Sequence, residues 1–378
     1  MSMVRDLLDW LPVGLPAFLF VITLVVFFHE LGHFLVARAC GVKVETFSIG
    51  FGRAIFGWHD RKGTYWKVSW IPFGGYVKFF GDLDAASTPD REQLGGMTSE
   101  ERSVAFPYKP MWQRAAVVAA GPIANFILAI VIFAGTFMAV GQDVIAPVVD
   151  AVKQGSPAQA AGIKAGDIIR AIDGQQITSF ADLTEIVSLD PGRPLAITFS
   201  RGPQTLTVHA TPKMTVVPDY FGGTARSMIL GLSNYRNRGE VTVVRYGPIG
   251  AVSEATKQTW TICRSTLTYL WQMITGYSDT SQLRGPLGMA NVSKKVASVS
   301  FVALINLAAL ISVSIGLINL FPIPLLDGGH LLYYAFEAVL GRPLGVRAQD
   351  VGFRLGLALV LGLMILATWN DIARLNLF

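Results

Sequence analysis

The sequence predicts an α-helical polytopic membrane protein with four transmembrane helices, a membrane-associated β-element and one small α+β domain outside the membrane. Three observations predict it. Hydrophobic residues make up 52% of the 378 and charged residues only 15%, whereas a soluble domain carries about 25% charged residues. Four stretches are apolar over the roughly 20 residues that a bilayer crossing requires. Between the second and third lies a long segment that alternates and turns like short strands.

The four spans are expected at residues 15–39, 115–140, 301–320 and 355–369. A fifth apolar stretch, TWTICRSTLTYLWQMITGY from Thr259, contains Arg264 and many hydroxyls. Its Trp260, Tyr269, Trp271 and Tyr277 suit a helix lying at the membrane surface, and it is kept out of the bilayer. The loop between spans one and two is far richer in Lys and Arg than the N-terminal tail, so the positive-inside rule places that loop in the cytoplasm. The N-terminus, residues 141–300 and the C-terminus are then outside. The net charge of +5 fits cytoplasmic loops, and no basic block with interleaved aromatics suggests nucleic acid. Cys40 and Cys263 form no disulfide framework. Arg38 and the charged residues before it exclude a lipoprotein cleavage site at Cys40.

Four regions follow. Residues 1–140 hold the first two spans and a re-entrant β-hairpin loop. Residues 145–213 form the small outer domain. Residues 214–300 form an outer linker with the interfacial helix, and residues 301–378 hold the last two spans. In the outer domain, GSPAQAAGIKAGDIIRAIDG gives a short helix and then a strand entering an Asp-Gly turn, and PLAITFSRGPQTLTVHATP reads as a hairpin. No second copy of the AGxxxGDxIxxIxG pattern follows.

The chemistry is expected where the first span is interrupted. In TLVVFFHELGHFLVAR, His29 and His33 are four residues apart and share one helix face, so both imidazoles can reach one metal ion. Ionisable groups at membrane depth cost roughly 2.5 kcal/mol or more each on insertion scales, and a metal site justifies that cost. Zinc accepts two His nitrogens and a third protein ligand, leaving a position for water, and Glu30 beside the pair is placed to act as general base. The third ligand is expected in SIGLINLFPIPLLDGGHLLYYAFEA. Pro322 and Pro324 break the third span, and Asp327 opens the next helix at the same membrane side as the His pair. His330, three residues on, is the rival ligand.

In KGTYWKVSWIPFGGYVKFFG from Lys62, strand-like alternation surrounds a turn expected at Pro72 and Gly74-Gly75. AAGPIANF, with Gly121, Pro122 and Asn125, reads as small residues for close helix packing.

FFHELGHFLVAR, FSIGFG, PFGGYVKFFG, AAGPIANF, SPAQAAGIKAGDIIRAIDG and GLINLFPIPLLDGG together resemble the bacterial site-2 intramembrane zinc metalloproteases of the regulator-of-sigma-E protease type, and the outer domain resembles a PDZ domain. The resemblance covers nearly the whole chain. It implies a Zn2+ endopeptidase of the bacterial inner membrane that cuts transmembrane segments of single-span proteins, such as an anti-sigma factor or a remnant signal peptide, after another protease has made a first cut. His29, His33 and Asp327 match the family's metal ligands and Glu30 its acid/base. Asn319, Pro322 and Pro324 match its Asn-x-x-Pro-x-Pro segment. With Gly74 and Gly75 in the β-element, they are the expected substrate-binding residues. The single PDZ-like copy departs from relatives that carry two.

Overall fold

The computed structural model describes residues 2–82, 91–218, 224–234, 241–276 and 283–374. The chain divides into two compact units, Met1–Phe133 with Arg284–Phe378, and Ala134–Leu283. Tyr277 lies outside the described residues.

The first unit begins with helix α1 (Ser2–Ala39) and two long strands, β1 (Val44–His59) and β2 (Tyr65–Phe79). Thr46, Phe47, Ser48 and Ile49 each have two cross-strand partners, one set at Tyr65, Trp66, Lys67 and Val68, the other at Lys78, Val77, Tyr76 and Gly75. Residues 54–59 pair with 65–69. Two strands therefore fold into four sheet segments, ordered 54–59, 65–69, 46–49, 75–79. Both bend at a glycine with positive φ, Gly50 at 83° and Gly74 at 92°, a conformation that costs glycine little. The turn expected at Pro72 and Gly74-Gly75 is thus a bend inside β2. The connecting turn lies at 60–64, where Asp60 accepts from the backbone N–H groups of Lys62 and Thr64. Phe47 is buried among Phe34, Trp66 and Val77 and seats the sheet on α1.

Two short helices follow, α2 (Arg91–Gly96) and α3 (Ser99–Val104), the latter opened by a Thr98–Glu101 capping box. Helix α4 (Met111–Ala139) then crosses beside α1. The crossing is close because Gly32 has no side chain: a Cβ there would lie 2.3 Å from the Ala120 carbonyl oxygen.

The second unit holds β3 (Gln142–Ile145), β4 (Ala151–Val152), α5 (Pro157–Ala160), β5 (Ile168–Ile172), β6 (Gln175–Gln176), α6 (Phe180–Leu189), β7 (Leu195–Arg201), β8 (Gln204–Ala210), β9 (Lys213–Pro218), β10 (Thr224–Ile229), β11 (Leu232–Ser233), β12 (Val241–Val244) and α7 (Pro248–Ile274). The central sheet runs β6-β5-β7-β8. Its alternating inward residues, Ile169, Ile172, Leu195, Ile197 and Phe199, are buried with Val149, Leu183 and Val187, each worth about 1.5–3 kcal/mol on full burial. The expected end of this domain at Lys213 falls inside the unit: β11 pairs with β4, β12 pairs with β3, and Leu230 joins the same core. Helix α7 begins eleven residues before the expected Thr259. It buries Ala251, Ala255, Thr259 and Cys263, and leaves Trp260 and Trp271 exposed.

The chain returns to the first unit with α8 (Pro286–Val299), α9 (Phe301–Asn319), α10 (Asp327–Leu340) and α11 (Val346–Arg374). Residues 286–299, expected in the outer linker, form a helix packed on α1 and α9. Among the described residues, four helices are long and apolar enough to cross a membrane, Val13–Ala39, Met111–Ala139, Phe301–Asn319 and Arg347–Ala373. The fourth exceeds the expected 355–369 because the helix continues through Arg347, Asp350 and Arg354, whose charged ends can reach out along the helix to water.

Candidate metal centre

Helix α1 presents His29 and His33 one turn apart, both buried. The Nε2 atoms of the two rings lie 3.2 Å apart. Asp327, in the first turn of α10, brings Oδ2 to 3.1 Å from His29 Nε2 and 3.6 Å from His33 Nε2. Among the described residues these three form the one His/Cys/Asp/Glu group able to hold a metal ion. His330 lines the same cavity outside that group.

The donor set fits zinc. Ligands at 2.0–2.2 Å in tetrahedral arrangement stand about 3.3–3.6 Å from one another, close to the three separations here. Asp327 Oδ2 is buried and has no hydrogen-bond donor, as a carboxylate oxygen reserved for a cation should be. The far side of each imidazole is also fixed. His33 Nδ1–H donates to the Val117 carbonyl at 2.8 Å, which leaves Nε2 with its lone pair toward the centre. Asn125 lies 3.1 Å from His29 Nδ1, and its Oδ1 is buried without a partner. An amide rotated by half a turn places that Oδ1 to accept the His29 Nδ1–H.

Close backbone approach makes this possible. A Cβ on Gly121 would lie 2.3 Å from His33 Nε2 and 2.9 Å from His29 Cε1. Pro122 has no N–H to give to the Val118 carbonyl, and Val118 lines the cavity. Gly328 and Gly329 let α10 start against the preceding loop, where a Cβ would meet the carbonyl oxygens of Phe321 and Ile323 at 2.2 and 2.4 Å. Leu325, in that loop, carries a φ of 105°, a strained value for a leucine.

The cavity, of about 300 Å³, is lined by His29, Glu30, His33 and Asp327 together with Gly74, Gly75, Val77 and Asn319. The Val77 backbone N–H lies beside the Glu30 carboxylate, and a Cβ on Gly75 would sit 3.3 Å from Glu30 Cγ. The 75–79 edge of the sheet therefore lies directly across Glu30. Pro322 and Pro324 do not line the cavity. Pro324 instead packs on α11, where a Cβ on Gly356 would overlap its carbonyl. The sequence suggests close helix packing as the main role of Gly121 and Asn125. The available signal was Asn125 itself, a polar amide at membrane depth, which needs a partner.

The match to Peptidase family M50 spans residues 17–363. Relatives include a "Putative zinc metalloprotease" of Agrobacterium fabrum, 46% identical over 95% of both chains. Another relative, Metalloprotease MmpA of Caulobacter vibrioides, is 40% identical over 96% of both. Among solved structures, the PDZ domain of an SdrC-like protein from Listeria monocytogenes aligns with 25% of this chain and 90% of its own, at 22% identity and a TM-score of 0.19.

Proposed function

From the premise that the chain belongs to peptidase family M50 and is a zinc metalloprotease of the membrane, we propose that it hydrolyses peptide bonds within transmembrane segments of single-span proteins. The observation that carries this reading is the convergence, in one cavity at an apolar helix, of the His29–His33–Asp327 donors, Glu30 and a sheet edge.

His29, His33 and Asp327 are the residues to hold Zn2+, which when bound supplies Lewis acidity toward water and the scissile carbonyl. Glu30 takes the proton of the attacking water and delivers it to the leaving amine. Asn319, the last residue of α9, offers an amide donor to the carbonyl oxygen as charge develops there. A peptide bond in a helix has its carbonyl tied to an amide four residues on, so the substrate must unwind before it is cut. The 75–79 edge gives the unwound segment backbone partners, as in strand addition. Gly74 and Gly75 keep that edge close to Glu30, and Pro322 and Pro324 shape the loop that delivers Asp327.

Purified protein with a single-span substrate tests this. Cleavage inside the span, abolished by a zinc chelator and by Glu30→Gln, is the expected outcome; cleavage confined to soluble segments overturns it.

We place the protein in the bacterial inner membrane with the metal centre toward the cytoplasm and the PDZ-like unit outside. Its substrates are then proteins already trimmed on the outer side, such as an anti-sigma factor or a remnant signal peptide. Cys263 is buried and is a poor reporter of this orientation. Exposed sites serve instead: with the native cysteines replaced by serine, Thr205→Cys should react with an impermeant thiol reagent from outside and Glu100→Cys should not. The reverse pattern refutes the orientation.

A further inference from the structure

A second pocket lies at the other end of the β1–β2 sheet, between its connecting turn and the last turns of α1. It is an open groove of about 590 Å³, lined by Phe34, Trp58 and Trp66. Trp58 and Trp66 stack with centroids 6.0 Å apart and planes 13° from parallel. Trp58 is 48% exposed. Arg38, Arg61 and Lys62 bound the same pocket.

The charges there are unevenly matched. Asp60 is saturated: it pairs with Arg38 and accepts from the backbone of Lys62 and Thr64 and from the Trp66 indole. Arg38 lies over the Phe34 ring, 5.0 Å from its centroid, and its buried Nε–H has no partner. The Arg38–Asp60 pair is neutral. Arg61 and Lys62 are exposed, and neither makes an ion pair among the described residues. Two uncompensated cations therefore stand at the rim of an aromatic slot, on a turn that Asp60 makes rigid.

The position in the membrane selects among anions. Phe34 and Arg38 belong to the last six residues of a candidate span that ends at Ala39, so the pocket opens where hydrocarbon gives way to headgroups. Aromatic rings with one wet edge suit that depth. A free phosphate would engage the cations and leave the rings unused. An anionic phospholipid engages both.

We propose that this pocket binds one anionic phospholipid, its phosphate on Arg61 and Lys62 and its glycerol and first acyl carbons against Trp58, Trp66 and Phe34. Basic residues at a membrane surface contribute about 1 kcal/mol each toward anionic lipid, so loss of both should weaken retention by at least about tenfold.

The test is native mass spectrometry of the full-length protein released from bilayer discs holding equal phosphatidylglycerol and phosphatidylcholine. Wild type should retain one phosphatidylglycerol in preference to phosphatidylcholine. Arg61→Ala/Lys62→Ala should lose that preference, Trp58→Ala should shorten retention, and Arg61→Lys/Lys62→Arg should keep it. Arg342→Ala, an exposed cation elsewhere, should behave as wild type. Equal retention of the two lipids overturns the proposal, as does an unchanged double alanine variant. So does an equal loss in Arg342→Ala, which would mean a diffuse basic collar. Displacement of the lipid by millimolar inorganic phosphate would make this a free-anion site and overturn it too.

Discussion

The Asn125 side-chain amide sits 3.1 Å from His29 Nδ1, on the opposite side of the ring from the Nε2 that faces Asp327. A ring held from behind needs no reorientation when a metal arrives, and such outer partners are worth 10–100-fold in metal affinity or activity. Asn125→Ala should lower zinc affinity by that factor while the fold persists. Competitive chelator titration measures it, and unchanged affinity would show that α1 alone orients the ring.

Gly121→Ala is a harsher test of the same wall. Its Cβ would need space occupied by His33 Nε2, so zinc content should fall sharply. Gly135→Ala lies on the same helix in open space and should leave zinc content unchanged. Equal zinc in both variants would refute the close approach.

Glu30 and Asp327 should separate chemistry from metal binding. Glu30→Gln keeps the shape of the side chain but removes the base, so zinc should stay while cleavage falls by at least about 100-fold. Asp327→Asn removes the anionic donor, so zinc and cleavage should fall together. Metal analysis of the purified variants decides; normal zinc in Asp327→Asn would remove that residue from the ligand set.

The second unit has an acid-sensitive tie. Burial alone would raise the Asp167 carboxyl, but hydrogen bonds from Arg201 and the Lys164 amide outweigh it and hold the group below the usual carboxylate range. A depressed folded-state value stabilises above the unfolded value of about 3.9, and that stability is lost as pH falls further. Protection of the β5 and β7 amides, after correction for the intrinsic pH dependence of exchange, should therefore fall below about pH 4. Arg201→Met takes the guanidinium partner from the Asp167 carboxylate and should destabilise this unit at neutral pH. Protection in wild type that does not change between pH 5 and 3 would count against this tie.

Removal of the small domain should be made at 146–240. A cut at 145–213 would strip β4 and β5 from the core while leaving β11 without its partner. If the unit filters substrates by size, the 146–240 deletion should let untrimmed substrates be cut; if it docks a trimmed C-terminus, trimmed substrates should be cut more slowly. Matched long and short substrates distinguish the two, and unchanged rates for both would exclude gating by this unit.

Local patterns are legible where one stretch of chain contains the whole signal. His29 and His33 share a helix face by spacing alone, and Asp327 follows a proline pair that ends a span. Contacts between distant segments were less legible. Asn125 reaches His29 across two helices, and nothing in AAGPIANF alone specifies that partner. The sheet was half read for a similar reason: alternation marked β2, but its doubling against Thr46–Ile49 depends on bends at Gly50 and Gly74 together. The strands after Lys213 are hard to read because β11 and β12 are short, and only pairing with β4 and β3 assigns them to this unit.

Residues 142–145 and 241–244 pair along their full length, so the chain leaves for the small domain and returns from it side by side. An insertion whose two ends meet can be gained, lost or duplicated without moving its host. A chain with one such module or with two then needs no different catalytic scaffold. Evolution could revise what reaches the metal centre by exchanging a cassette, while the helices that hold His29, His33 and Asp327 stay under separate selection.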